Sequence, residues 1–118
     1  MYTIKKEFHF SASHQLLQMP AHHPCARLHG HNYVVVIELQ SASLNEYGFV
    51  RDYLELKAFK DYIDNTLDHR HLNEVLGDAN TTAERLAQHL FNWAKERWPE
   101  VSAIAVSETP KTWAEYRV

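Results

Sequence analysis

The sequence predicts an α+β fold: a four-stranded antiparallel sheet with two helices inserted between the second and third strands. Three observations carry that expectation. Apolar residues alternate with polar ones in two stretches of the first forty residues. Two segments in the middle repeat apolar residues every three or four positions. Two short strand-like runs follow them, so the order is β-β-α-α-β-β.

From Tyr2 the even positions read Tyr2, Ile4, Lys6, Phe8, Phe10, Ala12 and His14, a half-buried strand with one charged exception. After Gly30 the odd positions read His31, Tyr33, Val35, Ile37 and Leu39, a second strand. QLLQMPAHHPCARL joins them as a long connection, and SLNEYGF reads as a loop. Asp52 is placed as an N-cap with Glu55 as its capping-box partner. The helix it opens aligns Leu56, Phe59, Ile63 and Leu67 and ends near LDHRHLN. A second helix starts around Asn80 or Thr81, has Glu84 in its first turn, and turns Ala83, Leu86, Ala87, Leu90, Phe91, Ala94 and Trp98 inward. Pro99 stops it. VSAIAVSET and TWAEYRV supply the last two strands, with Ile104, Val106 and Glu108 sharing a face.

No repeat or linker divides the 118 residues, so residues 1–118 are expected to form one domain. A composition of 45% apolar and 23% charged residues is ordinary for a globular protein. The formal charge of −3 gives no sign of a nucleic-acid or anionic-membrane partner. No apolar run approaches the roughly 20 residues of a membrane span. The start, MYTIKKEFHF, lacks a signal-peptide core, and one cysteine suits a reducing compartment, so a cytoplasmic location is expected.

The compositional oddity is nine histidines, concentrated in 9–31 and 69–71. His14 is in phase with the apolar face of the first strand, and His29 and His31 with that of the second. Residues two apart on a strand point the same way. If the strands pair as antiparallel neighbours, three imidazoles meet at one edge of the core, the arrangement of a zinc site with an open position. His22 and His23 lie in the connection and read as solvated; His9 has outward parity and His89 falls on the polar side of the second helix, and both read as structural or surface residues. Cys25 is open to three readings: a fourth zinc ligand, a free thiol beside the metal, or packing. Asp68 directly before His69 can orient that imidazole. Glu108, in phase with Ile104 and Val106, is costly to bury unless paired or bound to a ligand; exposure at the strand end is the alternative.

Taken together, C-A-R-L-H-G-H, an upstream F-x-A-S-H, a central L-D-H-x-x-L-N and a late S-E-T-P-x-x-W-A-x-Y resemble the 6-pyruvoyltetrahydropterin synthase / 6-carboxytetrahydropterin synthase family across almost the whole chain. The resemblance implies the tunnelling fold, assembled as trimers or as dimers of trimers with active sites between subunits. It implies Zn2+ held by His14, His29 and His31, Cys25 as a catalytic thiol rather than a ligand, and Asp68 and His69 as the pair that activates a neighbouring subunit's thiol. It implies Glu108 as the carboxylate that anchors the pterin and helps relay protons, and Thr82 as a threonine that helps hold it. Asn80-Thr81-Thr82 stands where the family often has Asn-Pro-Thr.

Three residues separate Cys25 from His29, which resembles the bacterial 6-carboxytetrahydropterin synthases; pyruvoyl-forming members typically have five. The implied activity is conversion of 7,8-dihydroneopterin triphosphate to 6-carboxy-5,6,7,8-tetrahydropterin with release of acetaldehyde and triphosphate, toward 7-deazapurines such as queuosine. Its rivals are pyruvoyl formation from the same substrate and a zinc- or pterin-binding homologue without catalysis. A cupin-like metal oxygenase also uses His-x-His on a strand, but two strong helices and only three glycines argue against that nearly all-β fold.

Overall fold

A computed structural model describes residues 1–118. Strand β1 (Tyr2–His14) and strand β2 (His29–Ser41) are long, and β3 (Val101–Thr109) and β4 (Thr112–Arg117) are shorter. They form one antiparallel sheet in the order β1-β2-β3-β4, so each strand pairs with its neighbour in sequence. Between β2 and β3 lie the helices α1 (Lys57–Tyr62), α2 (Leu72–Leu76) and α3 (Ala83–Arg97). No helix is long and apolar enough to cross a membrane.

The alternation read from the sequence is the alternation of burial. Phe8, Phe10 and Ala12 on β1 and Tyr33, Val35, Ile37 and Leu39 on β2 are all in the core. The register places Phe8 opposite Val35, Phe10 opposite Tyr33, Ala12 opposite His31 and His14 opposite His29. Such cross-strand pairs are what stabilise a sheet; Phe10 and Tyr33 stack with centroids 4.9 Å apart. A one-residue slip would turn every one of these side chains to the other face. Lys6, the exception in the apolar series, carries its ammonium 5.8 Å from the ring centre of Phe8.

The first helical region is a composite. Asp52 caps a 3-10 turn (Tyr53–Leu56) by accepting the Leu54 N–H at 2.9 Å. The expected reciprocal bond from Glu55 is not made; its carboxylate instead lies 3.2 Å from the Arg51 guanidinium. After α1 the backbone widens into a π turn (Ile63–Leu67). Leu56, Phe59, Ile63 and Leu67 nevertheless form one fully buried stripe. The sequence reading contains no counterpart of α2. It is a single turn and a half, closed by Gly77 at φ +61°, a left-handed backbone that favours glycine.

Helix α3 begins later than expected. Thr82, not Asn80 or Thr81, is its cap, accepting the Arg85 N–H at 3.2 Å. Leu86, Ala87, Leu90, Phe91 and Ala94 are buried, and Trp98 follows the last turn into the core. Phe91 meets Tyr116 of β4 edge-on at 5.0 Å. Each such large apolar side chain contributes about 1.5–3 kcal/mol by leaving water.

Candidate metal centre and active site

The β1–β2 ladder ends in the pair His14 and His29, with His31 one step back on the same face. Gly30 between the two β2 histidines relieves a tight approach: a Cβ there would lie 3.2 Å from the Ala12 carbonyl oxygen of β1. The ring centroids of His14, His29 and His31 are 4.5, 4.9 and 5.0 Å apart pairwise. One ligand nitrogen from each lies within 4.8 Å of the others, so the three form a candidate metal site.

Backbone carbonyls set which nitrogen is available. His14 Nδ1 lies 2.8 Å from the Thr81 carbonyl oxygen, and His29 Nδ1 lies 2.7 Å from that of Arg27. A carbonyl only accepts, so each Nδ1 carries a proton, and in the neutral ring Nε2 is then the nitrogen with the lone pair. The Nε2 atoms of His14 and His31 are buried with no protein partner. Burial holds both imidazoles below the usual histidine range, against the opposing pull of the Glu108 carboxylate on each and the Thr81 carbonyl bond on His14. Neutral imidazoles with buried free lone pairs fit a divalent cation of the zinc type, with a position left open.

Glu108 belongs to this centre. Its Oε2 lies 3.6 Å from His31 Nε2, and its side chain is only 26% exposed. It also borders a cavity of about 390 Å³ with Leu16, Thr82, Glu84, Val106 and Trp113. Thr82 is therefore in the same cavity as Glu108, although its hydroxyl also caps α3. The buried Tyr33 ring stands edge-on to His31 at 5.5 Å.

Cys25 sits in a 3-10 turn (Pro24–Ala26), half-buried, outside the cluster of ligand atoms. The fourth-ligand reading thus has no geometric support. His23, expected to be a solvated loop residue, instead accepts the Cys25 N–H through Nδ1 at 3.0 Å and caps this turn.

Asp68 and His69 form a pair, with Asp68 Oδ2 2.9 Å from His69 Nδ1. The other Asp68 oxygen accepts the Ser11 N–H at 2.9 Å, and that bond, followed by the one with His69, holds its carboxyl below the usual range. His69 has φ +58°, uncommon for a residue with a Cβ, and its N–H donates to the Ser11 carbonyl at 2.6 Å. The His69 side chain is 81% exposed. It borders a depression of about 410 Å³ shared with Ser11, Ser13, Gly30, His31 and Asn32.

His9 is exposed beside Glu7, as its parity requires. His89 is not a polar-face residue: it is half-buried, and its Nε2 lies 2.6 Å from the Tyr62 hydroxyl. No pattern in the sequence pointed to Thr81, which holds the Nδ1 side of His14, or to Asn73, which accepts the Thr81 hydroxyl. Asn73 was visible only as the last letter of LDHRHLN.

Comparison with known proteins agrees with this arrangement. A family profile described as 6-pyruvoyl tetrahydropterin synthase matches residues 3–118. The chain is 38% identical to a 6-carboxy-5,6,7,8-tetrahydropterin synthase of Synechocystis, covering 98% of this chain and 93% of that protein. It is 28% identical to the enzyme of the same name from Bacillus subtilis, covering 98% and 85%. The structure of Caenorhabditis elegans 6-pyruvoyl tetrahydropterin synthase superposes with a TM-score of 0.87 at 26% identity, over 99% of this chain and 95% of that one. With one antiparallel sheet, its helices inserted between the second and third strands, and its histidine cluster, the chain belongs to the 6-pyruvoyl tetrahydropterin synthase family.

Proposed function

We propose that this protein is a zinc-dependent lyase that converts 7,8-dihydroneopterin triphosphate and one water into 6-carboxy-5,6,7,8-tetrahydropterin, acetaldehyde and triphosphate, toward 7-deazapurines such as queuosine. The observation that carries the reading is the convergence of His14, His29 and His31, with Glu108 at 3.6 Å from His31. The carboxy-forming branch is supported by the three-residue spacing from Cys25 to His29 and by the names of the Synechocystis and Bacillus relatives.

His14, His29 and His31 would hold the zinc ion, which supplies Lewis acidity toward the substrate's side-chain hydroxyls. Glu108 accepts N–H donors from the amino and ring nitrogen edge of the pterin. Thr82 shares that cavity, whose volume is within the range of small-molecule sites. Cys25 takes a proton from the substrate side chain and returns one to the ring. Asp68 accepts the Nδ1–H of His69, which leaves the other ring nitrogen to exchange a proton with the thiol. Because His69 points into solvent from the β1 edge, the thiol it serves is that of a second copy in a trimer or dimer of trimers. A cytoplasmic location suits a single free thiol.

The test is incubation of zinc-loaded protein with 7,8-dihydroneopterin triphosphate. Acetaldehyde and a carboxytetrahydropterin mass are expected; a pyruvoyl product, or no acetaldehyde, would overturn the assignment.

A further inference from the structure

His14 is the last residue of β1, at the point where ladder pairing with β2 stops. At Gln15, the next residue, both backbone polar groups are held by one side chain. Asn73 Oδ1 accepts the Gln15 N–H at 2.9 Å, and Asn73 Nδ2 donates to the Gln15 carbonyl at 2.8 Å. The same amide nitrogen lies 3.1 Å from the Asp78 carbonyl oxygen and 3.3 Å from that of Ala79. The Thr81 hydroxyl donates to Asn73 Oδ1 at 3.3 Å and in turn lies 3.2 Å from His14 Nδ1. Donors meet the oxygen and carbonyls meet the nitrogen, so the amide has one orientation. Both of its ends are fully used.

We propose that Asn73 is a positioning residue for the metal centre: its carboxamide fixes the His14–Gln15 peptide from one side and, through Thr81, the Nδ1 side of the His14 ring from the other. The inference rests on the reading of His14 as a metal ligand and adds to it a residue that touches neither metal nor substrate. His14 is gripped at two points that share Asn73, so rotation of the ring about its own side-chain bonds must disturb either the Thr81 bonds or the peptide. Asn73 also ends the segment that begins with Asp68 and His69. That segment runs beside β1, with Asp68 and His69 bonded to Ser11, Arg70 O accepting the Ser13 N–H at 3.1 Å, and His71 Nδ1 3.0 Å from the Ser13 hydroxyl. Asn73 to Gln15 is the last contact of this series. The Asp68–His69 pair and Asn73 are thereby tied to one short stretch, Ser11–Gln15, which contains His14.

Partners that orient a ligating histidine typically contribute about 10–100-fold in metal affinity. The test measures Zn2+ affinity by competition with a chromophoric chelator, and the visible spectrum with Co2+ in place of Zn2+. Wild type, Asn73→Ala, Thr81→Val and the double variant are compared at a temperature where circular dichroism shows each folded. Asn73→Ala is expected to weaken Zn2+ binding about 10–100-fold and to change the Co2+ spectrum at saturation. Thr81→Val keeps the carbonyl bond and shape, so a smaller loss is expected, and the double variant should lose less than the product of the two. A purely structural asparagine would lower thermal stability while the folded variant kept wild-type affinity and spectrum; that outcome overturns the proposal. If Asn73→Ala does not fold, Thr81→Val alone decides, and an unchanged affinity and spectrum refutes the coupling. Wild-type protein that binds neither ion at any tested concentration would instead sink the metal reading itself.

Discussion

Glu108 Oε2 stands 3.6 Å from Nε2 of His31, and the same residue borders a cavity of about 390 Å³. A carboxylate there can receive the N–H edge of a flat heterocycle whose side chain reaches toward the histidines. Replacing it by glutamine keeps the shape and removes the charge. Glu108→Gln is expected to lower turnover about 10²–10⁴-fold, the usual scale for a positioned acid–base group. Zinc content should stay at wild-type stoichiometry if the three histidines alone hold the metal, as proposed. Steady-state acetaldehyde release together with metal analysis checks this; loss of the metal would make Glu108 a ligand instead.

The proposed function gives Cys25 and the two histidines of CARLHGH different roles. Its turn is tied down by the His23 cap and by the Leu16 N–H, which donates to the Cys25 carbonyl at 2.8 Å. Neither bond uses the thiol, so Cys25→Ala should fold normally, retain Zn2+ and lose turnover. Metal analysis and the acetaldehyde assay on one preparation are sufficient. A Cys25→Ala protein that lost its zinc while remaining folded would restore the fourth-ligand reading.

What the sequence made legible follows from burial on one face. The period of two on β1 and β2 put His14, His29 and His31 in phase with Phe10 and Tyr33, and the antiparallel register brought the two series together. The stripe Leu56, Phe59, Ile63 and Leu67 was equally readable, and it stays buried although the backbone passes through 3-10, α and π turns. Contacts made by single polar side chains over long separations left no periodic trace. Glu38 has the outward parity of β2, yet it is 6% exposed because Arg117 on β4 covers it. Thr81 and Asn73 act on His14 from 67 and 59 positions away, and no local pattern announces that. The Asp68–His69 pair was visible as letters, but its left-handed backbone and its docking on Ser11 were not.

The Glu38–Arg117 contact should dominate the acid sensitivity of the sheet's outer face. Arg117 donates to both carboxylate oxygens, at 2.8 and 3.1 Å, and the Ser102 hydroxyl donates at 2.8 Å. The Arg117 bond, outweighing the opposing effect of burial, holds the Glu38 carboxyl below its usual range. A carboxyl depressed in the folded state stabilises above its unfolded pKa and loses that contribution as pH falls through the folded value. Arg117→Leu should therefore lower the Tm by a few degrees at pH 7. The gap to wild type should close as the pH is taken below the carboxylate range. Thermal unfolding followed by circular dichroism at a series of pH values measures it, and a gap independent of pH would show that packing of the arginine stem, not its charge, is responsible.

His89 carries the opposite kind of group. Its Nε2 lies 2.6 Å from the Tyr62 hydroxyl, Tyr62 stacks on Trp93 at 4.5 Å, and the Arg97 guanidinium covers Trp93 at 3.7 Å. Burial pushes the His89 imidazole below the usual 6.5. No salt bridge with a carboxylate offsets it, and the nearby charge in the stack is the Arg97 cation. The neutral ring is thus the folded form. The unfolded chain binds more protons between the depressed value and 6.5, so stability is complete above 6.5 and declines as pH falls through that window. One proton changes stability by at most about 1.4 kcal/mol per pH unit. His89→Gln retains a hydrogen-bonding group toward Tyr62 and cannot titrate. Comparing urea midpoints of wild type and His89→Gln from pH 7.5 to 5 at equal metal content isolates this residue, because the histidines of the metal centre are common to both. The wild-type midpoint is expected to fall more steeply below pH 6.5; parallel curves would mean that the buried imidazole is protonated in the folded protein as readily as in the unfolded chain.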